Sequence, residues 1–371
     1  MKENKAFLNQ QVMTYLGNKR KLLFAIEKEI IKIKNELNQE KLSMVDLFSG
    51  TGIVSRMFKQ HAHSLIVNDL ELYSKITNQC YLSNYSEFQE EEYLKYYKQI
   101  KDKEKNHRTK GLISKEYAPK EDLAIKIGER VFYTSKNAET IDTLRKAIDD
   151  VPKNYQKYFL GPLIYAASVH NNTGGIFKGF YKDSQTGIGK FGGNGQHALK
   201  RITGDIKLLK PVFSHFETRV DIYQKDSNQL VKELDLVDLI YIDPPYNQHP
   251  YGSNYFMLNL IIKNKIEADV SKVSGIPNDW NRSNYNKKHK VLETFTDLIQ
   301  HAKAKYLLIS YNSEGYISFD EMEKVLRKYG ELSINKIRYN TYRASRNLRQ
   351  RDKYVHEYLF VLKKDNSIKI K

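Results

Sequence analysis

The chain has 371 residues, one cysteine and a net charge of +17. That length holds one large α/β domain plus an insert, and the single Cys80 excludes an internal disulfide and any multi-cysteine zinc site. No run approaches the ~18 apolar residues of a membrane span, and the excess of positive charge points to a polyanionic partner. Met1-Lys2-Glu3-Asn4-Lys5 lacks the apolar core of a signal peptide, and the lone cysteine suits a reducing compartment, so the expected location is cytoplasmic. The 27 tyrosines and 16 phenylalanines interleave with the basic residues, a mixture suited to stacking on bases and pairing with phosphates.

Tyr15-Leu16-Gly17-Asn18-Lys19-Arg20-Lys21 opens a helix expected to run to about Asn38, with Leu22, Leu23, Ile26, Ile30 and Ile33 at near-helical spacing. Taken alone this is a basic helix start. Met44-Val45-Asp46-Leu47-Phe48-Ser49-Gly50-Thr51-Gly52 is then a short apolar strand running into a Gly-x-Gly turn. The glycines permit a tight turn and a close approach of a ligand to the main chain. The pattern is neither G-x-G-x-x-G nor a Walker loop, so dinucleotide and P-loop readings are weak. Ser64 to Asn68 forms a second strand and ends in Asp69, a placement that suits the two hydroxyls of a ribose.

The texture changes between about 81 and 214. Residues 85–110 read as exposed helix, and residues 138–170 as helix with Leu144, Ile148 and Phe159 to Val169 on its buried face. A glycine-rich stretch from His170 to Gly195 follows and is expected to lie outside any core. It carries Asn171, Lys178 and Lys190. Asn pairs with an adenine edge and Lys with guanine, so these three are candidate base-reading residues; a surface loop is the plain alternative.

Further strands are expected at 219–223, 237–242, 304–310, 333–339 and 355–363, besides those at 43–48 and 64–68. At the end of Val237 to Ile242 stands Asp243-Pro244-Pro245-Tyr246. Open α/β sheets place their sites at the carboxyl ends of strands. A carboxylate accepts a hydrogen bond from an exocyclic amino group. The residue before a proline is held extended and proline has no N–H, so a carbonyl here can offer the same amino group a second acceptor. The tyrosine offers a stacking face. An ordinary strand-ending turn is the alternative. Asn247 to Tyr255 is a polar aromatic loop that would wall such a pocket. A last basic patch is Lys336, Arg338, Arg343, Arg346, Arg349, Arg351 and Lys353, with Tyr339, Tyr342 and Tyr354 nearby. This patch suits phosphate contacts, with Arg338, Arg343, Arg346 and Arg349 as the candidates.

In their order, the lysine segment, the Gly-x-Gly strand turn and Asp-Pro-Pro-Tyr resemble the DNA adenine-N6 methyltransferases, specifically the Dam-like group (alpha group, D12 class). The departures are Tyr15, where that family often has Trp, and Gly17-Asn18, where a Gly pair is common. The resemblance implies a Rossmann-like S-adenosylmethionine-dependent methyltransferase fold, α/β with a mostly parallel seven-stranded sheet and a reversed last strand. The catalytic domain would be 1–80 and 215–371, with 81–214 an inserted, partly helical target-recognition region. Tyr15 and Lys19 would touch S-adenosylmethionine. Asp46 and Phe48, Ser49, Gly50, Thr51 and Gly52 would line its methionine end, Asp69 its ribose and Asp226 its adenine, and Asp243 would lie near its amino group. Asp243, Pro244, Pro245 and Tyr246 would carry transfer to N6 of an adenine flipped out of double-stranded DNA, without a metal. A restriction endonuclease encoded nearby would be the partner. Transfer to N4 of cytosine, or to adenine N6 in RNA, are the nearest rivals. A non-catalytic S-adenosylmethionine- or DNA-binding module is the rival of a different class.

Overall fold

The computed structural model describes residues 2–193, 195–196, 198–340 and 354–367. Two compact units emerge. One comprises residues 19–70, 218–250 and 282–371, the other residues 1–18, 71–217 and 251–281.

The first unit is built on a seven-stranded sheet. Its strands are β1 Leu42–Asp46, β2 Ala62–Asn68, β3 Arg219–Tyr223, β4 Val237–Ile242, β5 Ala304–Asn312, β6 Gly330–Asn340 and β7 Tyr354–Lys364. Their order is β3-β2-β1-β4-β5-β7-β6. The first five run parallel, while β7 is antiparallel to both β5 and β6. This is the expected sheet with its reversed last strand, and all seven strands overlap the ranges expected from the sequence. The central strands β4 and β5 are buried along nearly their whole length, as mostly apolar strands covered on both faces should be, and Asp238 and Lys305, which interrupt their apolar runs, pair with each other at 2.8 Å. Edge strand β3 is only half-buried and carries Arg219 and Asp221, charges that discourage further strand pairing. Val45, Leu47, Ile240, Ile242, Leu307 and Ile309 pack against Phe295, Leu298 and Met322 on one face. Helix Leu23–Leu37 follows a 3-10 turn at Lys19–Leu22, buries Ile26, Ile30 and Ile33, and ends on Asn38 in the left-handed conformation.

The chain winds outward from β1 through β2 to β3, then returns to place β4 on the other side of β1. Asp46 of β1 pairs with Tyr241 of β4. The carboxyl ends of β1 and β4 are therefore a topological switch point, where the loops leaving adjacent strands diverge and open a crevice.

The second unit is helical. Leu72–Tyr81, Glu90–Asn106, Ser135–Asp149, Lys153–Val169 and Phe256–Lys263 are its longer helices. The expected helix at 138–170 is two helices, capped by the Thr134 side chain and interrupted at Val151-Pro152. Helix Glu90–Asn106 buries only Tyr93 and Ile100, in line with its charged sequence. The core is rich in aromatics, with Tyr73, Phe88, Tyr93, Tyr117, Phe132, Phe159 and Phe256 buried together. Among the described residues no helix is long and apolar enough to cross a membrane.

The glycine-rich stretch differs from expectation. Asn171, Asn172, Thr173 and Phe177 are buried in the helical unit. The Asn172 side chain donates to the carbonyls of Val131 (2.8 Å) and Lys190 (3.0 Å) and accepts from Gly192 N–H (3.2 Å). Arg201 donates to the carbonyls of Asn171 and Thr173. Side-chain amides and a guanidinium stand in for the backbone partners an irregular segment lacks, and this lets it enter a core.

Candidate active site

Several segments of the sheet unit meet around the switch point. The turn after β1 brings Phe48 to Gly52, with Gly50 and Gly52 at φ 51° and 72°, in the left-handed region that favours glycine. The turn is held from outside. Ser49 N–H donates to the carbonyl of Asn68 at the end of β2, and Gly50 N–H donates to Asp69 Oδ2 at 2.8 Å. Asn68, fully buried, donates to the carbonyls of Leu47 and Lys225 and accepts from Lys225 N–H. One amide thus ties β1, β2 and the loop after β3 together. Asp226 in that loop caps helix Ser227–Glu233, its Oδ1 accepting from the N–H groups of Asn228 and Gln229. Phe48 packs edge-on against the buried Tyr285 at 5.2 Å.

Asp46 is fully buried at the end of β1. Ser55 Oγ donates to its Oδ2 at 2.6 Å, while Oδ1 has no hydrogen-bond partner among the described residues. Burial, reinforced by the charges of Asp243 and Asp69 and opposed by the Ser55 hydroxyl and the Phe48 main-chain N–H, pushes its carboxyl up to about 7. Across the switch point, Asp243 leaves β4 and meets Lys19, whose Nζ lies 3.0 Å from Asp243 Oδ1 and 2.9 Å from Glu357 Oε1 of β7. All three side chains are largely withdrawn from solvent, with exposures of 9% for Lys19, 18% for Asp243 and 6% for Glu357. Burial acts to lower the Lys19 amine, but the two carboxylates outweigh it and hold the ammonium well above its ordinary value. Asp243 is pushed up to about 6 by burial, with Lys19 pulling down and Glu357 pushing up. Pro244 is buried, and Tyr246 is half-buried with its ring edge-on to Tyr311 at 6.3 Å and 6.0 Å from Lys19 Nζ.

Residues 15–325 match the family model of the D12 class N6 adenine-specific DNA methyltransferases. The chain belongs to this class. Among its curated relatives is the Type II methyltransferase M.NlaIII of Neisseria lactamica, 30% identical over 364 residues that cover 95% of this chain and 99% of that protein. Another is M.CviAII of Paramecium bursaria Chlorella virus 1, 27% identical over 93% of this chain and 97% of that protein. M.FokI of Planomicrobium okeanokoites is 29% identical, but its match spans 96% of this chain and only 54% of that longer methylase.

In this D12-class enzyme the sheet unit gathers Lys19, Asp46, Phe48, Ser49, Gly50, Thr51, Gly52, Asp69, Asp226, Asp243, Pro244, Pro245 and Tyr246. Tyr15 belongs to the helical unit, where its ring stacks on Tyr251 (4.9 Å) and Tyr255 (4.8 Å). The expected base-reading role of Asn171 does not fit its placement. Its side chain is 2% exposed and spent internally, donating to Ser168 O at 2.6 Å and accepting from the Thr173 hydroxyl. Lys178 is exposed. Lys190 is half-buried and pairs with Asp183 at 3.4 Å across a tight bridge between Lys182 and Gly189. Arg338 is exposed on β6, whereas Arg343, Arg346 and Arg349 lie outside the described residues.

Two residues of the site escaped the sequence analysis. Glu357 stands in the alternating run of β7, where a lone acid carries no motif. Asn68 closes the apolar stretch Leu65 to Val67, and that polar interruption was a usable signal.

Proposed function

We propose that this enzyme transfers the methyl group of S-adenosylmethionine to N6 of an adenine rotated out of duplex DNA, within a restriction-modification pair. The observation carrying this reading is the juxtaposition, at neighbouring strand ends, of the left-handed Phe48–Gly52 turn with Asp243. The donor set fits the cofactor. Asp46 Oδ1, without a hydrogen-bond partner among the described residues, is a buried acceptor that an ammonium would satisfy, and the turn leaves main chain free of side-chain bulk at Gly50 and Gly52. When bound, S-adenosylmethionine supplies a sulfonium-activated methyl group, so no metal is called for.

The chain's own work is then positional. Asp46 would take the amino group of the methionine end, Asp69 the ribose and Asp226 the edge of the cofactor's adenine. Asp243 and the Pro244 carbonyl would accept the two N6 hydrogens of the target base. Both acceptors draw the nitrogen lone pair out of the ring and toward the methyl. Lys19 would keep Asp243 from turning away. Tyr246 would stack on the extruded base, because N6 is tied up in pairing while the base stays in the helix. Positioning of this kind supplies a large share of the rate in group transfer.

The test uses labelled S-adenosylmethionine with duplex DNA, single-stranded RNA and no nucleic acid, followed by nucleoside analysis. Label in N6-methyladenine from the duplex supports the reading. Label in N4-methylcytosine or in RNA replaces it with a rival, and absence of any transfer with tight cofactor binding favours a non-catalytic module.

A further inference from the structure

We propose that Glu357 is a positioning residue for methyl transfer, fixing the Asp243 carboxylate through Lys19. This rests on the assignment of Asp243 as the N6 acceptor. Glu357 sits on the reversed strand β7, directly opposite Asn312 of β5. Its head group is held independently of Lys19, with Ser310 Oγ donating to Oε1 at 3.0 Å and Asn312 Nδ2 to Oε2 at 3.1 Å. It is 5% exposed. Lys19 reaches this fixed acceptor and Asp243 at once.

A lysine ammonium is a point charge on a flexible stem, with three donors and little directional preference of its own. Paired with Asp243 alone, it could swing with that carboxylate. Anchored to Glu357, it becomes a fixed post, and the antiparallel strand that sets this fold apart from an all-parallel sheet acquires a chemical purpose. The charged and titratable groups facing Asp243 are Lys19 from the 3-10 turn, Glu357 from β7, Tyr241 from β4, Tyr246 from the loop after β4 and Asp46 from β1. Lys19 draws the Asp243 proton affinity down and Glu357 raises it. Removing the Glu357 charge therefore lowers the pH at which Asp243 ionises, while loosening the lysine.

The experiment compares wild type with Glu357→Gln over a pH series, measuring kcat, KM for S-adenosylmethionine and DNA methylation. Expected for Glu357→Gln is a kcat lower by about tenfold, a smaller change in KM, and an acid limb displaced to lower pH by on the order of one unit. A purely structural role would lower the yield of folded enzyme and leave the acid limb in place. Wild-type kcat with an unmoved limb overturns the proposal. Should Glu357→Gln fail to fold, Asn312→Ala releases Oε2 and leaves every charge. Its kcat should then fall severalfold with the limb unmoved, and an unchanged kcat overturns the proposal. If the wild type itself methylates no adenine, the parent reading fails instead; an active wild type beside an indifferent Glu357→Gln removes only this inference.

Discussion

The helical unit and the sheet unit both bury carboxylates, and they satisfy them differently. Asp142 in the helical unit accepts from the N–H groups of Gly111, Ile113 and Ser114 and from the Ser114 hydroxyl, closing the start of helix Leu112–Glu116. Every contact is to chain nearby in the fold, and the group is a structural rivet. Asp46 in the sheet unit accepts the Ser55 hydroxyl, and its Oδ1 has no hydrogen-bond partner among the described residues, while Asp243 shares a single ammonium with Glu357. A buried carboxylate saturated by main-chain donors stabilises a fold. One that is under-satisfied costs stability and persists where a ligand completes it. On this ground chemistry is proposed for the sheet unit's acids and architecture for Asp142.

The largest expected effect tests that division directly. Asp243→Ala should reduce methyl transfer by about 10³-fold or more, in keeping with the loss of a directly acting group, while thermal unfolding stays close to wild type. Asp142→Ala should do the reverse. It strands three amides, each costing about 1–3 kcal/mol when buried without a partner, so the unfolding midpoint drops while the folded fraction keeps its single-turnover rate. Parallel melting curves and single-turnover assays decide it. Exchanged outcomes would dissolve the comparison.

Asp46 sharpens the contrast through pH. Its carboxyl is held at about 7 in the folded chain, above the ordinary carboxylate range. The folded state therefore keeps a proton that the unfolded chain has released. The stability from this group is full below the ordinary range and is lost as pH rises through about 7. Asp46→Asn should flatten the dependence of Tm on pH across that window. It should also weaken S-adenosylmethionine by roughly ten- to a hundredfold, the value of a charge-assisted hydrogen bond of about 1.5–3 kcal/mol. In the wild type, cofactor affinity should rise with pH up to about 7, because an ammonium pairs with the ionised acid. Calorimetric titration at several pH values checks this, and a pH-independent affinity would detach Asp46 from the cofactor.

Asp243 has a lower window. Pushed up to about 6, it turns one of its acceptor oxygens into an O–H donor and loses its charge when protonated. Methylation under kcat/KM conditions should accordingly fall as pH drops through about 6, and an acid limb lying well away from that value would point to another group.

The sheet was legible because buried parallel strands are written as mostly apolar runs, and Val237 to Ile242, interrupted by Asp238, is such a run. The site was legible wherever a motif is local: Phe48 to Gly52, and Asp243 to Tyr246. It was illegible where partners come from far apart. Glu357 meets Lys19 only because β7 reverses and lies beside β5, a pairing no window of sequence contains. The share of residues 1–18 and 251–281 in the helical unit left no mark in composition. Asn171 misled for a different reason. Asparagine among glycines looks the same whether its amide faces solvent or replaces a missing backbone partner, and only burial separates the two.

The smallest expected effects lie at the surface, where neither kind of buried acid is involved. Phosphate contacts set affinity without sequence preference, whereas contacts to base edges discriminate. Exposed Arg338 on β6 is proposed for the first role and exposed Lys178, in the glycine-rich stretch of the helical unit, for the second. Arg338→Ala should weaken cognate and non-cognate duplexes equally and reduce the salt slope by about one. Lys178→Ala should leave non-cognate binding nearly unchanged and remove part of the usual mismatch cost of about 1–3 kcal/mol. Binding to one methylated-in-vivo sequence and its single mismatch, across a salt series, separates them. If Lys178→Ala shifts only the salt slope while Arg338→Ala relaxes discrimination, sequence reading belongs to the sheet unit as well. The helical unit would then serve as a clamp on the DNA backbone.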